Sequence, residues 1–201
     1  MYLEKYEIIL ASASPRRKSL LENIGVKFGV VIADCDETIS SDLLPHEAVM
    51  ILSLKKAAAA SLHFEKQNKI IIGADTVVVL DGEVLTKPKD EDDAYLMLKK
   101  LSGKTHSVMT GISVMRTTDS KCETVFEETK VSFKEMTDEE IRSYIKTKEP
   151  LDKAGSYGIQ GIGSMFIEKI EGDYFNVVGL PVSRLCDLLK KEFDINIILE
   201  R

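Results

Sequence analysis

The stretch Ile70-Ile71-Ile72-Gly73-Ala74-Asp75-Thr76-Val77-Val78-Val79-Leu80 constrains this chain more than any other segment. From Lys69 to Leu80 nearly every residue is β-branched or aliphatic, which reads as a strand, and Asp81-Gly82 turns the chain back into Glu83-Val84-Leu85. A run this apolar has to be buried. It nevertheless carries Asp75, and an ionised carboxylate in such surroundings is costly unless it is paired or bound to a metal. Two readings are open. Neighbouring backbone amides satisfy Asp75 at a bulge, for which Gly73 provides, or Asp75 works at a site with cations and a second acid in reach.

Around this strand the pattern alternates. Residues 7–11 read as a short buried strand, Pro15 starts a helix that Gly25 stops, and Val26 to Ile32 reads as a second strand. Pro45 opens a helix running to about His63. Asp90-Glu91-Asp92-Asp93 loads acid into the first turn of a helix ending at Gly103. Residues 106–115 and 122–136 form a hairpin turning near Thr118–Lys121, and Thr137-Asp138-Glu139-Glu140 is a capping box for a helix through Ile145. A glycine-rich stretch, 155–163, leads into strands around 165–170 and 174–178, and a last helix follows Pro181. The expectation is an α/β protein on a mixed sheet, with residues 1–201 as one domain, either compact or in two small lobes.

Composition narrows the function. The chain has 201 residues, 44% of them apolar, enough for a substantial core without staples. Cys35, Cys122 and Cys186 are odd in number and widely spaced, which speaks against a zinc site or a disulfide framework. His46, His63 and His106 show no ligand spacing and read as structural or surface residues. The start, Met1 to Glu7, lacks the apolar core of a signal peptide, and no apolar run is long enough to cross a bilayer. A cytoplasmic protein is the expectation. A net charge of -6 argues against binding a nucleic acid polymer, while a small phosphorylated ligand needs only a few placed cations.

Those cations are easy to find. Ser14 suits an N-cap and Pro15 the first helical position, yet Arg16, Arg17 and Lys18 follow, opposing the helix macrodipole. An anion held by free N–H groups, the hydroxyls of Ser12 and Ser14 and the guanidinium groups resolves that conflict. The alternative is a basic, solvated first turn; the Walker spacing is absent. On a helical projection Lys56 falls near the middle of a stripe containing Val49, Leu52, Ala59, Ala60 and His63. It either snorkels to the surface or, the preferred reading, reaches inward to a phosphate. Lys87 is set by Pro88 after the Asp81-Gly82 hairpin. Asp34, Asp36 and Glu37 cluster after the second strand, as a second source of metal carboxylate or as an acidic surface turn. Finally, Lys153-Ala154-Gly155-Ser156-Tyr157-Gly158-Ile159-Gln160-Gly161-Ile162-Gly163 permits close backbone approach to a ligand, and Gln160 offers both a donor and an acceptor to a base edge. The alternative there is a flexible loop.

Taken together, Leu10-Ala11-Ser12-Ala13-Ser14-Pro15-Arg16-Arg17, Asp36-Glu37, Lys56-Ala57, Gly73-Ala74-Asp75-Thr76, Lys87-Pro88, Leu101-Ser102-Gly103, Tyr157-Gly158-Ile159-Gln160-Gly161 and Val178-Gly179-Leu180-Pro181 resemble the Maf family of septum-formation-inhibitor-like nucleotide pyrophosphatases. The likeness runs nearly the whole chain; Ala13 stands where the family often has Gly. It implies an elongated mixed β-sheet with flanking helices and a central cleft, similar to inosine triphosphate pyrophosphatases. It further implies hydrolysis of a nucleoside triphosphate to the monophosphate and pyrophosphate with a divalent metal, Mg or Mn. By that resemblance Asp75 is the proton acceptor and, with Glu37, a metal ligand. Arg17, Lys56 and Lys87 grip the triphosphate, Ser12 and Ser14 assist, and Arg16, Thr76 and Gln160 select the base. Arg, Thr and Gln at those three places mark the branch acting on dTTP and UTP; Trp, Gln and Glu mark the branch associated with 7-methyl-GTP. Homodimers occur in the family, with Met97, Phe133 and Phe166 as candidate interface residues here. Two rivals stand beside this reading. One is a non-catalytic nucleotide- or protein-binding regulator of septum formation, the other an editing hydrolase for modified pyrimidine nucleotides.

Overall fold

Strand β1 (Glu7–Ala11) lies between two parallel partners, β2 (Phe28–Val30) and β3 (Lys69–Leu80). Its Ile8 stands opposite Phe28 on one edge and Ile70 on the other, and Leu10 opposite Val30 and Ile72. Parallel neighbours cannot be joined by tight turns. The connections are helices, α1 (Pro15–Asn23) and α2 (Pro45–Ser61). A strand paired on both edges and covered on both faces needs no polar side, and Ile8, Ile9 and Leu10 are all buried. The computed structural model describes residues 6–32, 34–40, 42–65 and 67–199; the sequence reading of the first five residues lies outside them.

Past β3 the chain changes style. Asp81 and Gly82 both take positive φ, the two-residue hairpin geometry, and lead into β4 (Glu83–Leu85), antiparallel to β3. Helix α3 (Glu91–Leu101) is capped by the Asp90 carboxylate, which accepts from the Asp93 amide. Strands β5 (Thr105–Arg116) and β6 (Cys122–Phe133) run antiparallel, as the facing pairs Thr105–Ser132 and Ser113–Thr124 show. The expected capping box is present at α4 (Asp138–Lys146): Thr137 and Glu140 exchange side-chain and backbone hydrogen bonds. Strand β7 (Ile167–Glu171) pairs antiparallel with β6, and helices α5 (Tyr174–Val178) and α6 (Val182–Phe193) follow. Among the described residues the sheet order is β2-β1-β3-β5-β6-β7, with β4 on β3, so the sheet is mixed and the fold α/β.

The chain divides into two compact units. The first comprises Met1–Asp75, Thr110–Glu127 and Gly179–Arg201; the second comprises Thr76–Met109 and Glu128–Val178. In the first, Ile9, Ala11, Ile71, Ala57 and Ala60 pack together. In the second, Leu98, Leu101, Val131, Phe133, Ile141 and Tyr144 belong to one buried cluster.

Several expectations change. Residues 174–178 form a helical turn rather than a strand, despite Val177 and Val178. The Asp173 carboxylate accepts from the Phe175 amide, and the buried Asn176 side chain donates to Val108 O and Thr129 Oγ1. These tertiary bonds override β propensity. The second strand is shorter than Val26 to Ile32, ending at Val30, with Ile32 exposed. Helix α2 stops at Ser61, and His63 follows in a 3₁₀ turn, exposed. Met97 and Phe133 are core residues, and Phe166 packs against that core, its ring 5.3 Å from Tyr144.

Candidate active site

The first unit carries a cationic cluster built from β1, α1, α2 and β3. Ser14 caps α1 through its hydroxyl, which accepts from the Arg17 amide at 3.5 Å, and Pro15 takes the first helical position. Ser12 Oγ accepts from the Ser14 amide at 3.2 Å and from Arg17 Nη1 at 3.1 Å. Arg17 Nε donates to the carbonyl of Gly179 at 2.8 Å. The guanidinium is therefore clamped from two sides. Burial pulls its pKa down, the nearby Asp75 carboxylate opposes that, Arg16 adds to the lowering, and Glu37 opposes it. Arginine stays charged through such shifts, so a fixed positive group stands at the N-terminus of α1.

Asp75 is answered by Lys56. The ammonium lies 2.5 Å from Asp75 Oδ1 and 3.3 Å from Glu37 Oε1, with the Lys56 and Asp75 side chains only 17% and 14% exposed. Strand β3 is continuous through Gly73, and the group that meets Asp75 is the Lys56 ammonium. Gly73 has a different task. A Cβ there would lie 2.2 Å from Ser53 O and 2.8 Å from the Ala57 amide, so only glycine lets α2 sit this close to β3. Gly111 on β5 does the same under Val49. The buried face of α2 accordingly centres on Val49, Ser53, Ala57 and Ala60, with Ser53 Oγ bonded to Ser113 Oγ at 2.8 Å. Lys56 lies beside that face rather than in its middle, which lets a half-buried ammonium reach Asp75.

The acidic loop sorts itself. Asp36 accepts from the Thr38 amide at 2.8 Å, and hydrogen bonding from the Thr38 side chain first and from that amide second holds its carboxyl below the usual range. Lys55 ties the loop to α2 by donating to the carbonyls of Asp36 and Thr38. Glu37 is then the acid of this loop that meets Lys56. Two carboxylates converging on one ammonium form a small set of hard oxygen donors. Among the described residues no group of three or more His, Cys, Asp or Glu is placed to hold a metal. Such a pair suits a divalent cation that keeps waters and takes its other oxygens from phosphates, as Mg²⁺ does.

Thr76 follows Asp75 in β3, half-buried. In the second unit Lys87 is exposed beside the buried Pro88, and Gln160 is exposed on the glycine-rich loop. Three glycines of that loop press on protein groups. A Cβ at Gly158, Gly161 or Gly163 would meet Lys153, the Glu149 carboxylate or Tyr144 Oη. Tyr157 is buried and bonded at 2.8 Å to Nε2 of His106, itself 2% exposed with a pKa lowered by burial to about 4. Sequence reasoning assigned no part to Gly179, Tyr144 or Glu149. Gly179 had one usable signal, its place before Leu180-Pro181, and its φ of 121° explains why glycine is there.

The Maf-like protein family model matches residues 7–192. A "dTTP/UTP pyrophosphatase" of Thermoanaerobacter sp. (strain X514) is 53% identical over 96% of this chain and 100% of its own length. Proteins of the same name from Clostridioides difficile (strain 630) and Bacillus cereus (strain B4264) are each 50% identical, over 94% and 95% of this chain and 97% of their own lengths. Among solved structures, the Staphylococcus aureus Ham1 protein superposes with a TM-score of 0.45 at 19% identity, covering 63% of this chain and 71% of that one. The likeness to Ham1 is partial, and the assignment rests on the family match and the near full-length relatives. With the family model matched from residue 7 to residue 192 and relatives at 50% identity or more over nearly the whole length, the chain belongs to the Maf family.

Proposed function

We propose that this chain is a nucleoside triphosphate pyrophosphatase that hydrolyses dTTP and UTP to the monophosphate and pyrophosphate. The observation that carries the reading is the Lys56–Asp75 pair at 2.5 Å in the unit that also holds the clamped Arg17. The names of the near full-length relatives support the same substrates. They favour catalysis over a purely regulatory binding module.

In the reaction a water attacks the α-phosphorus, the bond to the bridging α–β oxygen breaks, and pyrophosphate leaves with that oxygen. Asp75 accepts the water's proton. Lys56, beside Asp75, supplies positive charge for the phosphates. Arg17, held by Ser12 and Gly179, presents its charge without reorganising, and the capped start of α1 adds N–H donors with Ser14. Lys87 grips the triphosphate from its proline-fixed loop. Arg16, Thr76 and Gln160 select the pyrimidine. Asp75 and Glu37 would hold a divalent cation, Mg²⁺ or Mn²⁺, which when bound neutralises phosphate charge. The reading includes a cytoplasmic setting, where nucleoside triphosphates are made and used. Among the described residues no helix is long and apolar enough to cross a membrane.

The test is multiple-turnover release of pyrophosphate from UTP and dTTP with added Mg²⁺ or Mn²⁺, repeated with excess chelator. Turnover that chelator abolishes is expected. Single-equivalent binding with no pyrophosphate released would overturn the catalytic reading.

A further inference from the structure

The loop bearing Gln160 is tied at both ends to one pair of side chains. Tyr144 Oη accepts from the Gly158 amide at 3.1 Å and donates to Glu149 Oε1 at 2.8 Å. The same carboxylate accepts from the Ile162 amide at 2.9 Å and from the Gly163 amide at 3.0 Å. Between the tied amides stand Ile159, Gln160 and Gly161. Burial opposes ionisation of Glu149, but the amides of Gly163 and Ile162 and the Tyr144 hydroxyl outweigh it, so its carboxyl is held below the usual value.

The glycines report the same clamp independently. A Cβ on Gly161 would lie 2.3 Å from Glu149 Oε2, and one on Gly163 would lie 2.5 Å from Tyr144 Oη. Neither position has a positive φ, so what a side chain there would meet is the clamp itself and, at Gly163, also the carbonyl oxygen of Gly158 at 2.8 Å. The chain has placed a partly buried acid and a tyrosine where they take up three backbone amides of one short loop, leaving the Gln160 side chain outside.

That arrangement has a chemical purpose if Gln160 reads a base, and the inference rests on that reading. A glutamine amide carries both a donor and an acceptor, so on a loose loop it would serve either uracil, with its O4 acceptor, or cytosine, with its N4 donor. Discrimination needs the backbone behind it fixed. We propose that Glu149 and Tyr144 are positioning residues for base selection, holding the Gln160 loop so that its amide meets the pyrimidine edge in one orientation.

The experiment compares kcat and KM for UTP and CTP in Tyr144→Phe, Glu149→Gln and Gln160→Ala, with thermal midpoints recorded. Tyr144→Phe keeps the ring in the core and removes one hydroxyl, so it decides the matter even if Glu149→Gln fails to fold. The expected result is a UTP/CTP ratio of kcat/KM lowered at least tenfold in Tyr144→Phe, Glu149→Gln and Gln160→Ala, through KM for UTP more than through kcat. A ratio that collapses in Gln160→Ala but stays at the wild-type value in Tyr144→Phe and Glu149→Gln, whatever their thermal midpoints, would overturn the positioning role alone. An unchanged ratio in Gln160→Ala would overturn the base-reading assignment on which it rests.

Discussion

The Lys56 ammonium lies 2.5 Å from Asp75 Oδ1, across a contact between α2 and β3 that only Gly73 makes possible. Removing one partner of a half-buried ion pair leaves the other short of charge compensation. Asp75→Asn keeps the shape and removes the proton acceptor. We expect kcat for pyrophosphate release from UTP to fall by about 10³-fold or more, in the range assigned to a general base. Nucleotide affinity should persist, measured by calorimetry under the same metal conditions. Near wild-type turnover by this variant would contradict the role given to Asp75.

Gly73→Ala tests the geometry rather than the chemistry. Its new Cβ would stand 2.2 Å from a backbone oxygen of α2, and backbone cannot swing aside as a side-chain tip can. Overpacking of this kind costs about 1–3 kcal/mol. We expect a lower urea midpoint together with a loss of kcat, because α2 carries Lys56 away from Asp75 as it shifts. A variant with a lowered midpoint and full activity would show that the 2.5 Å pair tolerates displacement.

Ser12 offers a milder perturbation. Ser12→Ala removes the acceptor of Arg17 Nη1 and leaves the helix cap, Ser14, in place. Hydrogen bonds to charged groups contribute about 1.5–3 kcal/mol, so kcat/KM for UTP should fall roughly tenfold or more. Ala13→Gly, at an exposed neighbouring position, should leave kcat/KM unchanged. Equal values for Ser12→Ala and Ala13→Gly would mean that the Arg17 orientation survives without the Ser12 hydroxyl.

His106 predicts a pH dependence of stability. Burial lowers its pKa in the folded chain to about 4, against about 6.5 when unfolded. Between those values the unfolded chain binds the extra proton, so stability is present above the unfolded value and is lost as pH falls toward 4. The loss from this residue between pH 7 and pH 5 is roughly 2 kcal/mol. Urea unfolding at pH 7 and pH 5 should show it in the wild type, and His106→Gln should flatten the difference by about that amount. An unchanged slope in the variant would show that other groups carry the acid sensitivity.

What the sequence determined by itself is local. The cap at Ser14 with Pro15, the Asp81-Gly82 turn, the Thr137–Glu140 box and the strand Lys69–Leu80 each depend on interactions within a few residues, so their signals lie together in the chain. The cations and the acid of the candidate site were visible for a related reason: charge in an apolar run or at a helix start conflicts with its surroundings. Tertiary structure decided which of them meet. Lys56 and Asp75 are 19 residues apart, and Arg17 and the Gly179 carbonyl 162, and backbone atoms such as that carbonyl carry no side-chain signature at all. Residues 174–178 went the same way, from an apparent strand to a helical turn, because Asn176 finds its partners on β5 and β6. Gly73 read as a bulge signal and glycines 161 and 163 as room for a ligand to approach the backbone, and the groups pressed against them are α2, Glu149 and Tyr144. Short-range energies choose the elements; the close approach of distant segments chooses the partners, and that information is spread over the whole fold.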